Sequence, residues 1–306
     1  MGKTTTKTDH MQAVTDKIVA ALETGVRPWQ KPWDAGAIPE KPLRSSGEAY
    51  KGVNIIALWM EAQASGYTSP YWMTYRQATE LGAQVRKGEK GTTVFYAGTM
   101  TVKTDEEPDN SEDEEARQRR FTKAYAVFNA DQIEGLPGEY FPKAQPTKPN
   151  AERRDDAERY FAATGSEVRH GGNKAFYAYG GTADYIRMPS FETFADPEKY
   201  YGTLAHEHIH WTKGPGRIDR NFGRKKWGDE AYAIEELVAE IGSAFLGVTL
   251  GLRPDHLDDH AAYIQSWLKV LKGDKQAIFR AASHAQRAVN YLDGLQADPA
   301  LQIAAE

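Results

Sequence analysis

Five consecutive residues hold the most legible chemistry in the chain: His206-Glu207-His208-Ile209-His210. On a helix, positions i and i+4 stand one above the other. His206 and His210 then face one point, and two imidazoles at that distance can share a metal ion with Zn–N contacts of about 2.0–2.1 Å. Glu207, beside the first histidine, is placed to act as acid and base on a water held there. His208 falls between the two and off their face, so it is not counted as a ligand.

A zinc site of this kind takes a third protein ligand and keeps one position open. Residues 231–250 supply candidates on a second helix, whose apolar stripe is Ile234, Leu237, Val238, Ile241, Phe245 and Val248. Glu236 and Glu240 share another face with Ser243, Ala244 and Gly247. Small residues there would let this helix approach its neighbour and bring Glu236 to the two histidines. Glu240, one turn on, could accept the second N–H of a ligand histidine and fix its tautomer. Glu235 is the competing ligand, turned roughly a hundred degrees from Glu236.

The helix that must carry the motif has its own signals. Asp196 is an N-cap, Pro197 suits the first helical position and Glu198 favours the positive end of the dipole. The helix should stop before Gly214-Pro215-Gly216. Upstream, 151–163 reads as a helix, and 166–170, 175–179 and 184–189 read as strands. Pro189 predicts that the last of these lies at a sheet edge, where a peptide could add as a further strand. Two amphipathic helices, about 254–271 and 275–292, follow the acidic one. His256, His260 and His284 there read as ordinary surface or core residues.

Composition limits the possibilities. The 306 residues are enough for one large or two ordinary domains, and 40% hydrophobic with 26% charged residues is a soluble globular composition. No run of 18 apolar residues predicts a membrane span, and no signal-peptide pattern opens the chain. Met1-Gly2-Lys3-Thr4-Thr5-Thr6 formally fits a myristoylation signal, but a disordered polar tail is the simpler expectation. There is no cysteine, so a disulfide framework is excluded and a cytoplasmic location is expected. Any zinc must use histidine and carboxylate.

The net charge of −5 hides an asymmetry. Residues 1–100 carry 12 Lys+Arg against 9 Asp+Glu, while 105–115, DEEPDNSEDEE, carries eight acids and no base. That run reads as a solvated, disordered loop joining two hairpin strands, 93–103 and 121–129. Before it come an amphipathic helix over 11–24, the extended Arg27-Pro28-Trp29-Gln30-Lys31-Pro32-Trp33 and a helix ending near Gly66. A Thr74/Gln77 capping box then starts a short helix that stops at Gly82. Val85 to Gly91 is a glycine-bounded basic turn.

Aromatic and basic residues interleave through this first region, the chemistry that holds a nucleic-acid single strand: cations along the phosphates, ring faces for the bases. Trp29, Trp33 and Trp72 are the candidate stacking rings, and Lys31, Lys51, Arg86, Lys87 and Lys90 the candidate phosphate contacts. Trp59, inside an apolar helix, reads as core. FPKAQPTKPN over 141–150 is a proline-rich linker. The expected architecture is therefore α+β in two domains: residues 1–140 for a nucleic-acid single strand, and 151–306 for the metal.

Several segments together carry a family resemblance: TGVRPWQKPWD, YKGVN, GYTSPYWMTYRQATELGAQVRKGEKG, DYIRMP, HEHIHWT and YAIEELVAEIGSAFLG. They resemble the ArdC antirestriction proteins of conjugative plasmids, and the front part is also similar to the N-terminal region of TraC-type primases. The resemblance implies an N-terminal single-stranded-DNA-binding domain, a C-terminal zincin-like metallopeptidase domain and protection of incoming plasmid DNA from host restriction. It implies Zn²⁺, or another divalent ion such as Mn²⁺, on His206, His210 and Glu236, with Glu207 as catalytic acid/base. A protein of the host restriction system would be the substrate or partner, and no membrane is involved. Two function classes stay open: a metallopeptidase delivered by DNA binding, and a DNA-binding protection protein whose metal domain is structural or a protein-interaction surface. Tyr200, Tyr201 and Tyr263 are the candidates for stabilising an oxyanion.

Overall fold

The computed structural model describes residues 9–29, 41–101, 118–142, 153–223, 230–252 and 261–296. Lys31, Trp33, the acidic run 105–115 and most of the proline-rich 141–150 segment lie outside the described residues.

The N-terminal half is a small α+β unit. Helix α1 (His10–Glu23) starts at Asp9, whose carboxylate accepts from Gln12 N at 3.0 Å. Helix α2 (Val53–Ser65) ends where Gly66 takes a left-handed φ of 69°, the conformation a side chain would oppose. Helix α3 (Tyr75–Glu80) begins in the expected Thr74/Gln77 capping box. Strands β1 (Leu43–Arg44), β2 (Tyr71–Met73), β4 (Thr92–Thr101) and β5 (Gln118–Asn129) form one sheet in the order β1-β2-β5-β4. Strands β3 (Gln84–Val85) and β6 (Ile133–Glu134) pair separately. β4 and β5 are the antiparallel hairpin that the sequence predicts.

The C-terminal half opens with α4 (Asp155–Ala163) and three strands, β7 (Val168–His170), β8 (Phe176–Gly180) and β9 (Ala183–Met188). Their order is β7-β9-β8, so β9 is the central strand. This corrects the expectation of an edge: Pro189 lies just past the end of β9, where its missing N–H costs the ladder nothing. Among the described residues, β8 is the edge strand on the antiparallel side. Then come α5 (Pro197–Trp211), α6 (Glu230–Thr249), α7 (Ala261–Gly273) and α8 (Ala277–Gly294). Among the described residues no helix is long and apolar enough to cross a membrane.

The two halves share one hydrophobic core. Trp29 meets Trp267 edge to face with ring centroids 5.6 Å apart, Trp59 meets Phe245 at 6.0 Å and Phe95 meets Phe279 at 5.0 Å. Thr15 Oγ1 donates to Lys275 O at 2.8 Å. Ile18, Leu22, Ile55 and Leu58 belong to the same buried cluster as Tyr201, Leu237 and Val289. A second, smaller cluster around Met73, Val85, Ile133 and Tyr140 is the front half's own. The proline-rich segment therefore divides the sequence and not the packing, and it gives no reason to expect a fragment ending near residue 143 to fold alone.

Candidate metal centre

Asp196 caps α5 by accepting from Lys199 N at 2.9 Å, and Pro197 holds the first turn. The helix then runs unbroken to Trp211 and sets His206 and His210 on one face, both buried, with Nε2 atoms 3.2 Å apart. Helix α6 packs along α5. Its Glu236 lies with Oε2 at 3.7 Å from His206 Nε2 and Oε1 at 3.6 Å from His210 Nε2. The three donor atoms fall within 4.8 Å of one another. Tetrahedral bonds of about 2.0–2.2 Å put ligand atoms roughly 3.4 Å apart, so the spacing and the donor set fit a divalent ion. Glu207 is buried beside His206, at 6% exposure.

The electrostatics agree with that fit. Burial opposes a charge on His210, but Glu236 and Glu235 beside it outweigh burial and raise its pKa to about 9. Burial likewise opposes ionisation of Glu236, yet His210 and His206 hold its carboxyl far below the usual range.

Glu235 and Glu240 differ from the sequence expectation. Glu235 Oε1 lies 3.0 Å from His210 Nδ1, so an N–H there donates to it and leaves the Nε2 lone pair turned into the cluster. Arg220 clamps the same carboxylate through Nε and Nη2, each at 2.8 Å, and also donates to Ile209 O at 3.0 Å. These partners hold Glu235 at a pKa of about 2 against the opposing effect of burial. Glu240, expected to orient a histidine, instead accepts from Trp29 Nε1 at 3.4 Å and lies 3.9 Å from Arg27 Nη1. One turn of helix carries it past His210 and onto the front half of the molecule. Arg220 has no motif to announce it; only the fold joins it to Glu235.

His208 stays outside the donor cluster. Its Nδ1–H donates to Leu204 O at 2.8 Å, its Nε2 faces Ser166 Oγ at 2.9 Å, and burial pushes its pKa down to about 4. Of the three tyrosines, Tyr200 pairs with His170 Nε2 at 2.8 Å and Tyr201 donates to Glu158 at 2.9 Å, both deep in the core. Tyr263 meets the hydroxyl of Tyr232 at 3.0 Å. Burial, with the charges of Glu236, Glu207 and Glu240, pushes the Tyr263 hydroxyl's pKa up against the opposing hydrogen bond from Tyr232. Next to Glu235 and Tyr232 opens a cavity of about 340 Å³, walled by Tyr177, Tyr179, Lys213 and Phe222.

The sequence-derived DNA residues divide sharply. Trp29 and Trp72 are 2% and 1% exposed, so neither has a ring face for a base. Trp29 is packed on Trp267, and Trp72 on Tyr67 at 5.8 Å. Reading these two rings as stacking surfaces is thereby corrected: loops beside proline and lysine fold back into the core. Lys51, Arg86, Lys87 and Lys90 are exposed. Arg86 is held by Glu89 at 2.9 Å.

Fold and site together define a two-domain protein whose C-terminal domain is of the zincin-like, HExxH-bearing class. Residues 155–284 match the zincin-like metallopeptidase family model, and residues 8–128 match the N-terminal domain of anti-restriction factor ArdC. The chain belongs to the ArdC antirestriction family. Two crystal structures of the antirestriction protein ArdC from plasmid R388 superpose on it. The metal-free one has a TM-score of 0.79 at 45% identity, covering 94% of this chain and 98% of that one. The Mn(II)-bound one has a TM-score of 0.78 at 44% identity, covering 95% and 100%. An uncharacterized protein of Sinorhizobium fredii, y4eC, is 40% identical over 296 residues, covering 96% of this chain and 94% of its own length. DNA primase TraC of Escherichia coli is 40% identical over 299 residues; the match spans 92% of this chain but 27% of the primase.

Proposed function

We propose that this chain protects incoming plasmid DNA from restriction by holding single-stranded DNA with its N-terminal half and using a metal-dependent peptidase centre in its C-terminal half. The observation that carries the reading is Glu207 beside the buried His206, His210 and Glu236 donors. A purely structural site has no use for that carboxylate. A divalent ion on these donors, zinc by their chemistry with manganese as the alternative, supplies Lewis-acid activation of a water and a carbonyl. Glu207 takes the proton from the water and passes it to the leaving nitrogen. Glu235 keeps His210 in the tautomer that turns Nε2 inward. The Tyr263 hydroxyl is the candidate donor to a developing oxyanion, and the adjoining cavity gives room for a side chain of the cleaved protein. On the DNA side, the exposed Lys51, Arg86, Lys87 and Lys90 are the candidate phosphate contacts.

A comparison of wild type with Glu207→Ala tests this, scoring protection of transferred DNA and cleavage of restriction subunits. Loss of both supports the peptidase. Protection that survives without cleavage favours the second reading, in which the metal only braces the protein. The bond from Trp29 to Glu240, one turn beyond Glu236, is the observation on that side.

A further inference from the structure

The outer half of the β4–β5 hairpin carries rings that no core needs. Directly opposed residues of an antiparallel pair project to the same face. Tyr96 is opposite Lys123, Gly98 opposite Phe121 and Val94 opposite Tyr125. At the inner end this face is core, with Val94 and Val127 buried. Further out it turns to solvent, and Tyr96 and Tyr125 are 52% and 45% exposed. The rings of Tyr96 and Phe121 lie 6.1 Å apart, and the Lys123 ammonium sits 5.2 Å from the Phe121 centroid. Gly98 makes this arrangement possible. A Cβ there would lie 2.8 Å from Phe121 Cζ and 3.0 Å from Tyr96 Cε1, so only a bare backbone lets the Phe121 ring lie across the ribbon.

Neither 92–98 nor 121–128 contains an acid, in a chain with 43 Asp+Glu, and two arginines, Arg119 and Arg120, precede Phe121 in the sequence. Phe121, Lys123 and Tyr125 stand at alternate positions of β5, about 6.6–6.8 Å per step, with Tyr96 across from Lys123, and rings with a cation among them are a stacking platform for bases. We infer that Tyr96, Phe121, Lys123 and Tyr125 form the base-stacking surface for single-stranded DNA. They take the role that the buried Trp29 and Trp72 cannot. The inference rests on the proposal that the N-terminal half binds single strands, and it places the strand on the hairpin face.

Fluorescence anisotropy of a labelled oligo-dT with the full chain tests it at several salt concentrations. The Tyr96→Ala/Tyr125→Ala double variant should lose about ten-fold or more in affinity with an unchanged salt slope, since rings release no counterions. Lys123→Ala should flatten the slope by about 0.7. Tyr96→Phe, which keeps the ring, should bind as wild type does. If wild type binds and the folded double variant binds equally well, the platform is wrong. If wild type fails to bind, the reading of the N-terminal half fails instead. Photocrosslinking of wild type to a bromodeoxyuridine oligonucleotide covers the case of a double variant that does not fold. Adducts on the peptides holding Tyr96 or Phe121–Tyr125 support the surface, and adducts confined to other peptides overturn it.

Discussion

Ile209 packs its whole side chain against the bare backbone of Gly242. A Cβ at Gly242 would lie 2.9 Å from both Cδ1 and Cγ1 of Ile209 and 3.0 Å from its Cγ2. Ile209 precedes His210 on α5, and Gly242 lies six positions after Glu236 on α6. The approach of these two residues thus sets how near the histidine face comes to Glu236. Three atoms of a β-branched side chain cannot all swing away, so Gly242→Ala must part the helices. We expect it to cost about 1–3 kcal/mol of stability and to weaken metal binding. Thermal melting and a competitive chelator titration measure the two; an unchanged metal affinity would show that the helix gap does not govern the site.

Glu236 and Glu235 have different expected roles, and metal analysis separates them. Glu236→Ala should leave the chain with no tightly bound divalent ion. Glu235→Gln, which keeps a group near His210 and Arg220, should retain the ion with affinity reduced about 10–100-fold. Full occupancy in Glu236→Ala would remove it from the ligand set.

The shared core predicts that residues 1–143 alone do not fold. Without the C-terminal half, Trp29, Trp59 and Phe95 lose Trp267, Phe245 and Phe279. The fragment should show poor amide dispersion and bind a hydrophobic dye; a cooperative melt of the purified fragment would count against one common core.

Arg86 and its neighbours should differ in DNA binding. Glu89 already holds Arg86, whereas Lys87 and Lys90 are exposed cations. Lys87→Ala/Lys90→Ala should flatten the salt slope by about 1.4, or about 0.7 for each phosphate that is no longer neutralised. Arg86→Ala should change it less, because the ion pair must open before a phosphate can replace Glu89. Equal effects from the three substitutions would contradict this ranking.

Asp184 ties β9 to the loop after α5. Arg217 Nη1 and Nη2 reach its carboxylate at 2.9 and 2.8 Å, and the Tyr177 hydroxyl donates to it at 2.8 Å. Arg217, then Tyr177, outweigh burial and hold the Asp184 carboxyl below the usual carboxylate range. A depressed carboxyl pKa stabilises the fold above its unfolded value and loses that contribution as pH falls through the folded one. The melting temperature of wild type should therefore fall more steeply below about pH 4 than that of Asp184→Asn. The difference should be small, because the side chain is 48% exposed and solvent screens the pair. Parallel acid limbs in the two proteins would rule this contribution out.

Local signals are readable in the sequence. Asp196, Pro197 and the i, i+4 histidines act within one helix, and the Thr74/Gln77 box within one turn, so spacing alone conveys them. What spacing does not convey depends on distant partners. Glu235 and Glu240 look alike along α6, and only Arg220 and Trp29, brought in from elsewhere, assign one to His210 and the other to the front half. Trp29 and Trp72 sit among prolines and lysines that suggest exposure, yet they are buried against Trp267 and Tyr67. Gly242 does not stand out beside Ser243, Ala244 and Gly247, because which small residue faces α5 is a matter of helix rotation.

The pairing of rings across the two halves limits how such chains can be recombined. A chimera with the front of one relative and the back of another must satisfy Trp29 against Trp267, Trp59 against Phe245 and Phe95 against Phe279 at once. It must also offer an indole N–H to a carboxylate at the position of Glu240. A change in one ring needs an answering change in the other half of the chain. The unit that can pass from one chain to another with its core intact is therefore the pair of domains, and the match to the E. coli primase, which runs through both, has that extent.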